Sequence, residues 1–232
     1  MSQGAGVASS QKTGAVSSNN TGAALSNNTG AVLSNNTGAV LSNNTGAVLS
    51  NNTGAAAARI LDVGCGINKY PGSIGVDRNA NTRADVLCDL DRFPYPFRDG
   101  SFAELRAIHV IEHVSDVIRS MEEFHRVLQP GGRLFMATPH YTDFSSFCDP
   151  THRWHLNSFS FRYFGENHGG FGYYSAARFR EVKVHVKLLA FWRWLGFEFL
   201  VNHFPRYRKF WEHYLCYVVR GKVMEFEFEA IK

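Results

Sequence analysis

A glycine turn between two short strand-like runs most constrains the fold of this chain. The run Ile60-Leu61-Asp62-Val63 is typical of a buried strand, Gly64-Cys65-Gly66 follows it at once, and a second run, Ile74-Gly75-Val76, ends on Asp77. Glycines directly after a parallel strand let the backbone approach a ligand closely, and an acid at the tip of the next strand can accept hydrogen bonds from ribose hydroxyls. The stretch therefore predicts a site for a nucleotide-type cofactor.

The spacing around this turn excludes two common phosphate-binding motifs. The dinucleotide fingerprint needs a third glycine where this chain has Lys69, and no Gly-Lys-Ser or Gly-Lys-Thr follows, as a P-loop requires. The segment between Gly66 and Ile74 is also too short for a helix of two or three turns, at about 1.5 Å per residue. We expect the part of the cofactor pocket next to the glycine turn to be built without such a helix.

Residues 1–54 differ in composition from the rest of the chain. A tandem octamer, Asn-Asn-Thr-Gly-Ala-Val-Leu-Ser with minor variants, fills most of this segment, which has no aromatic residue and Lys12 as its one charge. Few large apolar side chains are available to offset the entropy lost on ordering. The composition predicts a disordered low-complexity tail, with a stacked, self-associating array as the alternative.

Residues 55–232 have the length of one ordinary domain with a sizeable core. The four cysteines are far apart and lack Cys-x-x-Cys spacing, which argues against a structural zinc site or a disulfide framework. There is no apolar run of membrane-spanning length, and the start lacks the basic and apolar blocks of a signal peptide. We therefore predict a cytoplasmic location.

The order of predicted elements is that of an α/β domain. Short strands are predicted at 84–90, 102–110 and 134–137, and a helix capped by Ser115 or Asp116 ends at Gln129-Pro130-Gly131-Gly132. Alternating residues predict two further strands at 182–188 and 224–229. Such an order indicates a parallel sheet that binds ligands at the carboxyl ends of its strands.

Motifs over residues 60–140 carry a family resemblance. After Leu61-Asp62-Val63-Gly64-Cys65-Gly66 come Asp77, Asp89, Tyr95-Pro96-Phe97-Arg98-Asp99-Gly100-Ser101-Phe102, His109-Val110-Ile111-Glu112-His113 and Leu128-Gln129-Pro130-Gly131-Gly132. This series resembles the class I (Rossmann-like) S-adenosylmethionine-dependent methyltransferases of the type 11 group. The resemblance implies a mostly parallel seven-stranded sheet with helices on both faces and an antiparallel edge strand.

The resemblance also implies S-adenosylmethionine as cofactor and assigns residues to it. Asp77 would bind the ribose, Asp89 and Leu90 the adenine, and the glycine turn the methionine portion, with Asp62 in support and His109 in the cleft. The implied cofactor-binding set is Asp62, Gly64, Cys65, Gly66, Asp77, Asp89, Leu90 and His109.

Polar residues after the fifth strand are candidates for chemistry on the acceptor. A general base here would suit transfer to a hydroxyl, and an arginine would hold an anionic acceptor. The candidate catalytic residues are His140, Asp149 and His152, and the candidate acceptor-binding residues are His113, Tyr141 and Arg153. For any one of them, a loop position without a catalytic role is the open alternative.

The pattern His109-x-x-Glu112-His113 matches the inverted zinc-protease motif. That chemistry needs both histidines on one helix face. Because His109 follows a strand and the helix begins only near Asp116, the sequence predicts no metal site.

Residues 190–220 form an aromatic, basic insert, predicted to be helical and to act either as a lid or as a membrane-contacting surface. It favours a small anionic or amphipathic acceptor, methylated on oxygen or nitrogen. Two alternatives stay open. A nucleic-acid methyltransferase would need a continuous basic track, whereas the basic surplus here is local. A catalytically inactive scaffold displayed or assembled by the octamer repeat is the other. The sequence leaves the oligomeric state undetermined.

Overall fold

A computed structural model describes residues 59–166 and 172–232, together with two short strands, β1 (Ala31–Val32) and β2 (Ala47–Val48). The two strands pair in parallel, with Ala31 opposite Ala47. The predicted tail otherwise lies outside the described residues, so its disorder and the domain boundary at residue 54 stay predictions.

A seven-stranded sheet is the frame of the domain. Its strands are β3 (Ile60–Val63), β4 (Ile74–Asp77), β5 (Val86–Leu87), β6 (Phe102–Ile108), β7 (Leu128–Pro139), β8 (Arg178–Leu188) and β9 (Gly221–Ile231). The spatial order is β5-β4-β3-β6-β7-β9-β8, and β9 runs antiparallel to both of its neighbours. The chain thus has the Rossmann-like fold, with its antiparallel strand next to the edge strand β8. Because β3 pairs with both β4 and β6, the strand order reverses there, where such sheets bind ligands.

The helices are short apart from one. Helix α1 (Val117–Val127) begins at Asp116, whose carboxylate accepts the N–H of Arg119 at 3.0 Å, so Asp116 is the cap. The other helical segments are α2 (Ser145–Cys148), a 3-10 turn (Ser160–Phe164), α3 (Ala190–Trp194), α4 (Phe197–His203), α5 (Pro205–Phe210) and a π-helical turn (Trp211–Leu215).

Only one face of the sheet is apolar over strands β6 to β9. Leu105, Met136 and Phe226 are buried there in a single core with Phe124 of α1. On the opposite face charged side chains alternate with them, and Arg133 lies 3.5 Å from Glu229. Burying such charged side chains would cost their hydration, and pairing them across neighbouring strands offsets that cost.

The aromatic insert covers the free edge of the sheet. The Asn202 side chain accepts the N–H of Val186 at 2.7 Å and donates to the carbonyl of Val186 at 2.9 Å. The Glu198 carboxylate accepts the N–H of Leu188 at 2.9 Å. An edge strand exposes unpaired backbone groups, and these contacts satisfy those of Val186 and the N–H of Leu188. Helices α3, α4 and α5 lie within this insert, and its position at β8 gives it a structural role.

Candidate functional site

A cleft of about 570 Å³ opens at the carboxyl ends of β3, β4, β5 and β6. Acidic, basic and apolar side chains share its walls. The residues that line it are Gly64, Asp77, Arg78, Asp89, Leu90, Asp91, His109, Val110, His113, Val114, Pro150, Thr151 and Arg153. Seven of the fourteen residues predicted for the site are in this set, whereas Asp62, Cys65, Gly66, His140, Tyr141, Asp149 and His152 are not.

Gly64 sits where the cleft meets the core. Its φ is +62°, and a Cβ built on it would lie 2.5 Å from Cγ2 of Val110. Both the left-handed backbone and the contact with Val110 require a glycine. The backbone of the turn is therefore exposed to whatever occupies the cleft.

Replacing Gly64 with alanine should destabilise the protein more than the same change at Gly72. Both glycines have positive φ, but a Cβ on Gly72 meets nothing within 4 Å, so Gly72→Ala adds backbone strain alone. We expect Gly64→Ala to lower the free energy of unfolding by a further ~1–3 kcal/mol, the usual cost of overpacking. Urea denaturation measures the difference, and equal losses for the two variants would refute the close-contact explanation.

Asp77 ties the ends of β3 and β4 together. Its Oδ2 accepts the N–H of Gly66 at 3.1 Å, and its Oδ1 accepts the N–H of Asn79 at 2.9 Å. Each carboxylate oxygen has two lone pairs, so each can accept a second hydrogen bond from a ligand. The carboxylate is thus oriented by the backbone and still available to the cleft.

The short connection between Gly66 and β4 is held by two carboxylates instead of a helix. Buried Asp62 accepts the N–H of Tyr70 at 2.7 Å; burial raises the pKa of this carboxyl, and the bond from Tyr70 opposes that rise. Asp85 accepts the N–H of Gly75 at 2.7 Å and pairs with Lys69 at 2.9 Å. The connection is therefore a loop held by hydrogen bonds and an ion pair, and the buried Asp62 carboxylate holds it from the core side.

Cys65 is buried within the turn and absent from the cleft lining. Burial, followed by the nearby acids, raises the pKa of its thiol to about 11. A neutral buried thiol is a weak nucleophile, so Cys65 fills space between β3 and β4 rather than reacting.

His109 follows β6 with φ at +56°, the one non-glycine residue with positive φ in the described part of the chain. Its Nδ1 lies 3.1 Å from Oε1 of buried Glu112. The hydrogen bond to Glu112 raises the pKa of His109 above its ordinary value. His109 lines the cleft as predicted, and its orientation depends on Glu112.

His140, a predicted catalytic residue, lies in the core. Its side chain is fully buried, its Nδ1 accepts the N–H of Thr142 at 3.2 Å, and its Nε2 lies 3.2 Å from Oε2 of Glu212. Glu212 also accepts the N–H and the hydroxyl of Ser158. This placement favours a structural role for His140, joining β7 to the insert. Tyr141 is directed the same way, with its hydroxyl 3.0 Å from Sγ of Cys216.

The Glu212 carboxyl should make stability depend on pH. Burial alone raises its pKa, but the bonds from His140 and Ser158 outweigh this and lower it below the ordinary 4.5. A lowered folded-state pKa stabilises the fold above the unfolded value and loses that effect as pH falls through the folded value.

The test is a comparison with Glu212→Gln. Wild type should exceed this variant by about 1–3 kcal/mol at neutral pH, and the gap should shrink in acid below the ordinary pKa. Urea denaturation at stepped pH measures it, with exposed Glu181→Gln as the control. A gap that stays constant with pH would contradict the assignment.

Four residues predicted to act on the acceptor lie close together: His113 and Arg153 line one end of the cleft, and His152 and Asp149 lie behind them. Thr151 Oγ1 lies 2.9 Å from Nδ1 of His113, and the rings of His113 and His152 lie edge to face with centroids 4.6 Å apart. Hydrogen bonds from Thr151 lower the pKa of Asp149, so this carboxylate is charged and weakly basic. Arg153 and Asp91 approach each other to 3.8 Å across the same end.

Sequence reasoning missed several lining residues, chiefly Arg78, Asp91, Val110, Val114 and Thr151. Arg78 directly follows Asp77, and Asp91 directly follows Leu90. Their positions next to predicted site residues could therefore have identified them as lining residues. Thr151 comes from a loop far along the chain, and its contact with His113 depends on how that loop folds back.

A family model described as a methyltransferase domain matches residues 50–136. This span holds the glycine turn, Asp77, Asp89 and His113, at one end of the strands of a Rossmann-like sheet. Residues 50–136 belong to the methyltransferase domain family. The loop at 149–153 lies beyond the matched span.

The methyltransferase domain is also similar to curated proteins over about a third of this chain. "Probable tRNA methyltransferase 9B" of Bos taurus is 35% identical over 92 residues, which are 33% of this chain and 20% of that protein. "Methyltransferase GfsG" of Streptomyces halstedii is 32% identical over 105 residues, 35% of this chain and 38% of that protein. The chain thus matches well under half the length of these relatives.

Among solved structures, the YcgJ protein of Bacillus subtilis aligns with 75% of this chain and 92% of its own, at 14% identity and a TM-score of 0.48. An S-adenosylmethionine-dependent methyltransferase from Mesorhizobium loti aligns with 74% of this chain and 90% of its own, at 15% identity and a TM-score of 0.46.

Proposed function

We propose that this methyltransferase domain binds S-adenosylmethionine in the cleft and transfers its methyl group to a small acceptor. The observation that carries the proposal is the position of Asp77 at the end of β4 and of Asp89 just after the adjacent parallel strand β5, both lining the cleft with Gly64. At this end of the strands in doubly wound sheets, an acid hydrogen-bonds the ribose and a glycine turn lets the backbone approach the rest of the ligand. Membership in the methyltransferase domain family supports the same cofactor.

The donor set of the cleft fits this cofactor. A volume of about 570 Å³ lies within the usual range of roughly 300–1,000 Å³ for small-molecule sites. Asp77 offers oriented carboxylate oxygens, Gly64 leaves the backbone uncovered, and Val110 and Val114 supply apolar walls. Bound S-adenosylmethionine would supply a methyl group on a positively charged sulfur, ready for attack by a nucleophile.

The residues of the chain act mainly by positioning. Holding two reactants in line can supply much of the barrier reduction in such a displacement. Asp77 is fixed by two backbone N–H groups, and the loop carrying Thr151 and Arg153 closes the other end of the cleft. The charge of Arg153 suits an anionic acceptor.

Asp77→Ala should weaken the binding of S-adenosylmethionine, because the carboxylate that accepts hydrogen bonds from the ribose is removed. Calorimetric titration of the purified full chain should give micromolar binding for wild type, a loss of at least ~10-fold for Asp77→Ala, and unchanged binding for the charge-matched Glu181→Ala. NAD serves as the ligand control. If wild type did not bind S-adenosylmethionine, the methyl-transfer proposal would be refuted and the inactive scaffold favoured.

The exposed insert supports an amphipathic acceptor or a lipid surface as partner. In α3 no residue is buried, and Phe191 and Trp194 are 59% and 80% exposed. Residues three apart on a helix share a side, and the same helix carries a basic residue, Arg193. Aromatic and basic side chains together are typical of helices that lie in a membrane interface. In the described part of the chain no helix is long and apolar enough to cross a membrane.

Sedimentation with vesicles of phosphatidylcholine, with and without phosphatidylserine, tests the contact. Wild type should co-sediment with the anionic vesicles, and a Phe191→Ala/Trp194→Ala double variant should lose several-fold of that binding. Tyr173→Ala is a matched control, since Tyr173 is 74% exposed and outside the insert. Equal binding by all three proteins would remove this partner.

Nucleic acid is the less favoured acceptor. A second groove carries Lys183, Lys187 and Lys222, but Glu225 and Glu227 share its walls and Lys187 pairs with Glu225. These acids interrupt the basic track that a phosphate backbone needs. One relative is named as a probable tRNA methyltransferase, and that name applies to the relative alone. Salt-dependent RNA binding by this chain would reverse the preference.

A further inference from the structure

Three potential metal ligands lie together at the end of the cleft that His113 and Arg153 line. One ligand atom from each of Glu112, His113 and His152 lies within 4.8 Å of the others. Glu112 is 1% exposed, and its Oε2 is a buried oxygen without a hydrogen-bond partner among the described residues. A buried, unpaired carboxylate oxygen is costly unless a cation or donor satisfies it.

Hydrogen bonding fixes the proton positions of His113. Thr151 donates its one hydroxyl proton to Oδ1 of Asp149 at 2.6 Å, so its oxygen can only accept from Nδ1 of His113 at 2.9 Å. The neutral imidazole of His113 therefore carries its proton on Nδ1 and has its lone pair on Nε2.

The same reasoning applies to His152. Its Nδ1 lies 3.2 Å from the backbone carbonyl oxygen of Ser146, which can only accept, so Nδ1 carries the proton. The Nε2 of His152 is then free to bind a metal, 3.8 Å from Oδ2 of Asp149. Metal-ligating histidines usually donate their other N–H to a carbonyl or to a polar group in this way.

The third ligand is also oriented by a neighbour. His109 contacts Oε1 of Glu112 at 3.1 Å and leaves Oε2 free. The zinc-protease pattern in the sequence would have paired His109 with His113 on one helix. In the structure His109 lies outside the ligand group, and His152, from a distant loop, takes its place.

We propose that Glu112, His113 and His152 bind a divalent first-row transition metal, with Zn²⁺ as the representative ion. Two imidazole nitrogens and one carboxylate suit Zn²⁺ and its neighbours, whereas Mg²⁺ prefers oxygen ligands. Three protein ligands leave a coordination position open. Since His113 lines the cleft, the metal would stand within reach of an acceptor oxygen.

Metal binding is tested without S-adenosylmethionine, so the result is independent of the proposed reaction. Tag-free full chain, treated with chelator and dialysed, is titrated with Zn²⁺ alone by calorimetry. We expect one Zn²⁺ per chain, and Kd at least ~10-fold weaker for Glu112→Gln and for His152→Ala. His155→Ala is the matched control, because His155 is an exposed neighbour outside the ligand group.

Circular dichroism checks that each variant is folded, and visible absorption of the Co²⁺-loaded wild type gives a second readout that needs no variant. Absorption bands typical of a histidine–carboxylate site, lost in Glu112→Gln, would support the proposal. Wild type that neither binds Zn²⁺ stoichiometrically nor shows these Co²⁺ bands would overturn it. The proposal would also be overturned if Glu112→Gln and His152→Ala bound Zn²⁺ as tightly as wild type. A loss of affinity in His155→Ala as large as in these two variants would overturn it as well.

Discussion

The hydrogen bond from the Gly66 N–H to the Asp77 carboxylate is the constraint on which the cleft depends. It joins the turn after β3 to the end of β4, so the two strands that flank the switch point present their ends together. Gly64 can then pack against Val110 with no side chain between them. A shift in this bond would move both the glycine backbone and the acid that we assign to ribose.

Side-chain hydrogen bonds and ion pairs hold several parts of the domain together outside the main core. Lys69 and Asp85 hold the connection that is too short for a helix, and Asp62 holds Tyr70 from within. On the charged face of the sheet, cross-strand ion pairs such as Arg133 with Glu229 join β7 to β9. The insert supplies Asn202 and Glu198 to the free edge of β8.

Much of the fold was predictable because its signals are local. Strand alternation at 224–229, the cap at Asp116 and the glycine at position 64 each depend on neighbours in sequence, and each is found in the structure. The predicted strand at 134–137 begins earlier, at Leu128, because residues after α1 already pair with β6. Asp77 and Asp89 were predictable as lining residues, since the ends of adjacent parallel strands share one edge of the sheet.

The sequence by itself determined the apolar and polar periodicity, the glycine turn and the order of motifs, and these suffice for the fold and for the family. Only the tertiary structure decided which side chains the histidines contact. His140 follows β7 directly yet is buried against Glu212, whereas His152 comes from a loop and meets Glu112. The reason is physical: strand and helix signals come from short-range backbone and burial preferences, but a side chain's partners depend on loops that return from distant parts of the chain.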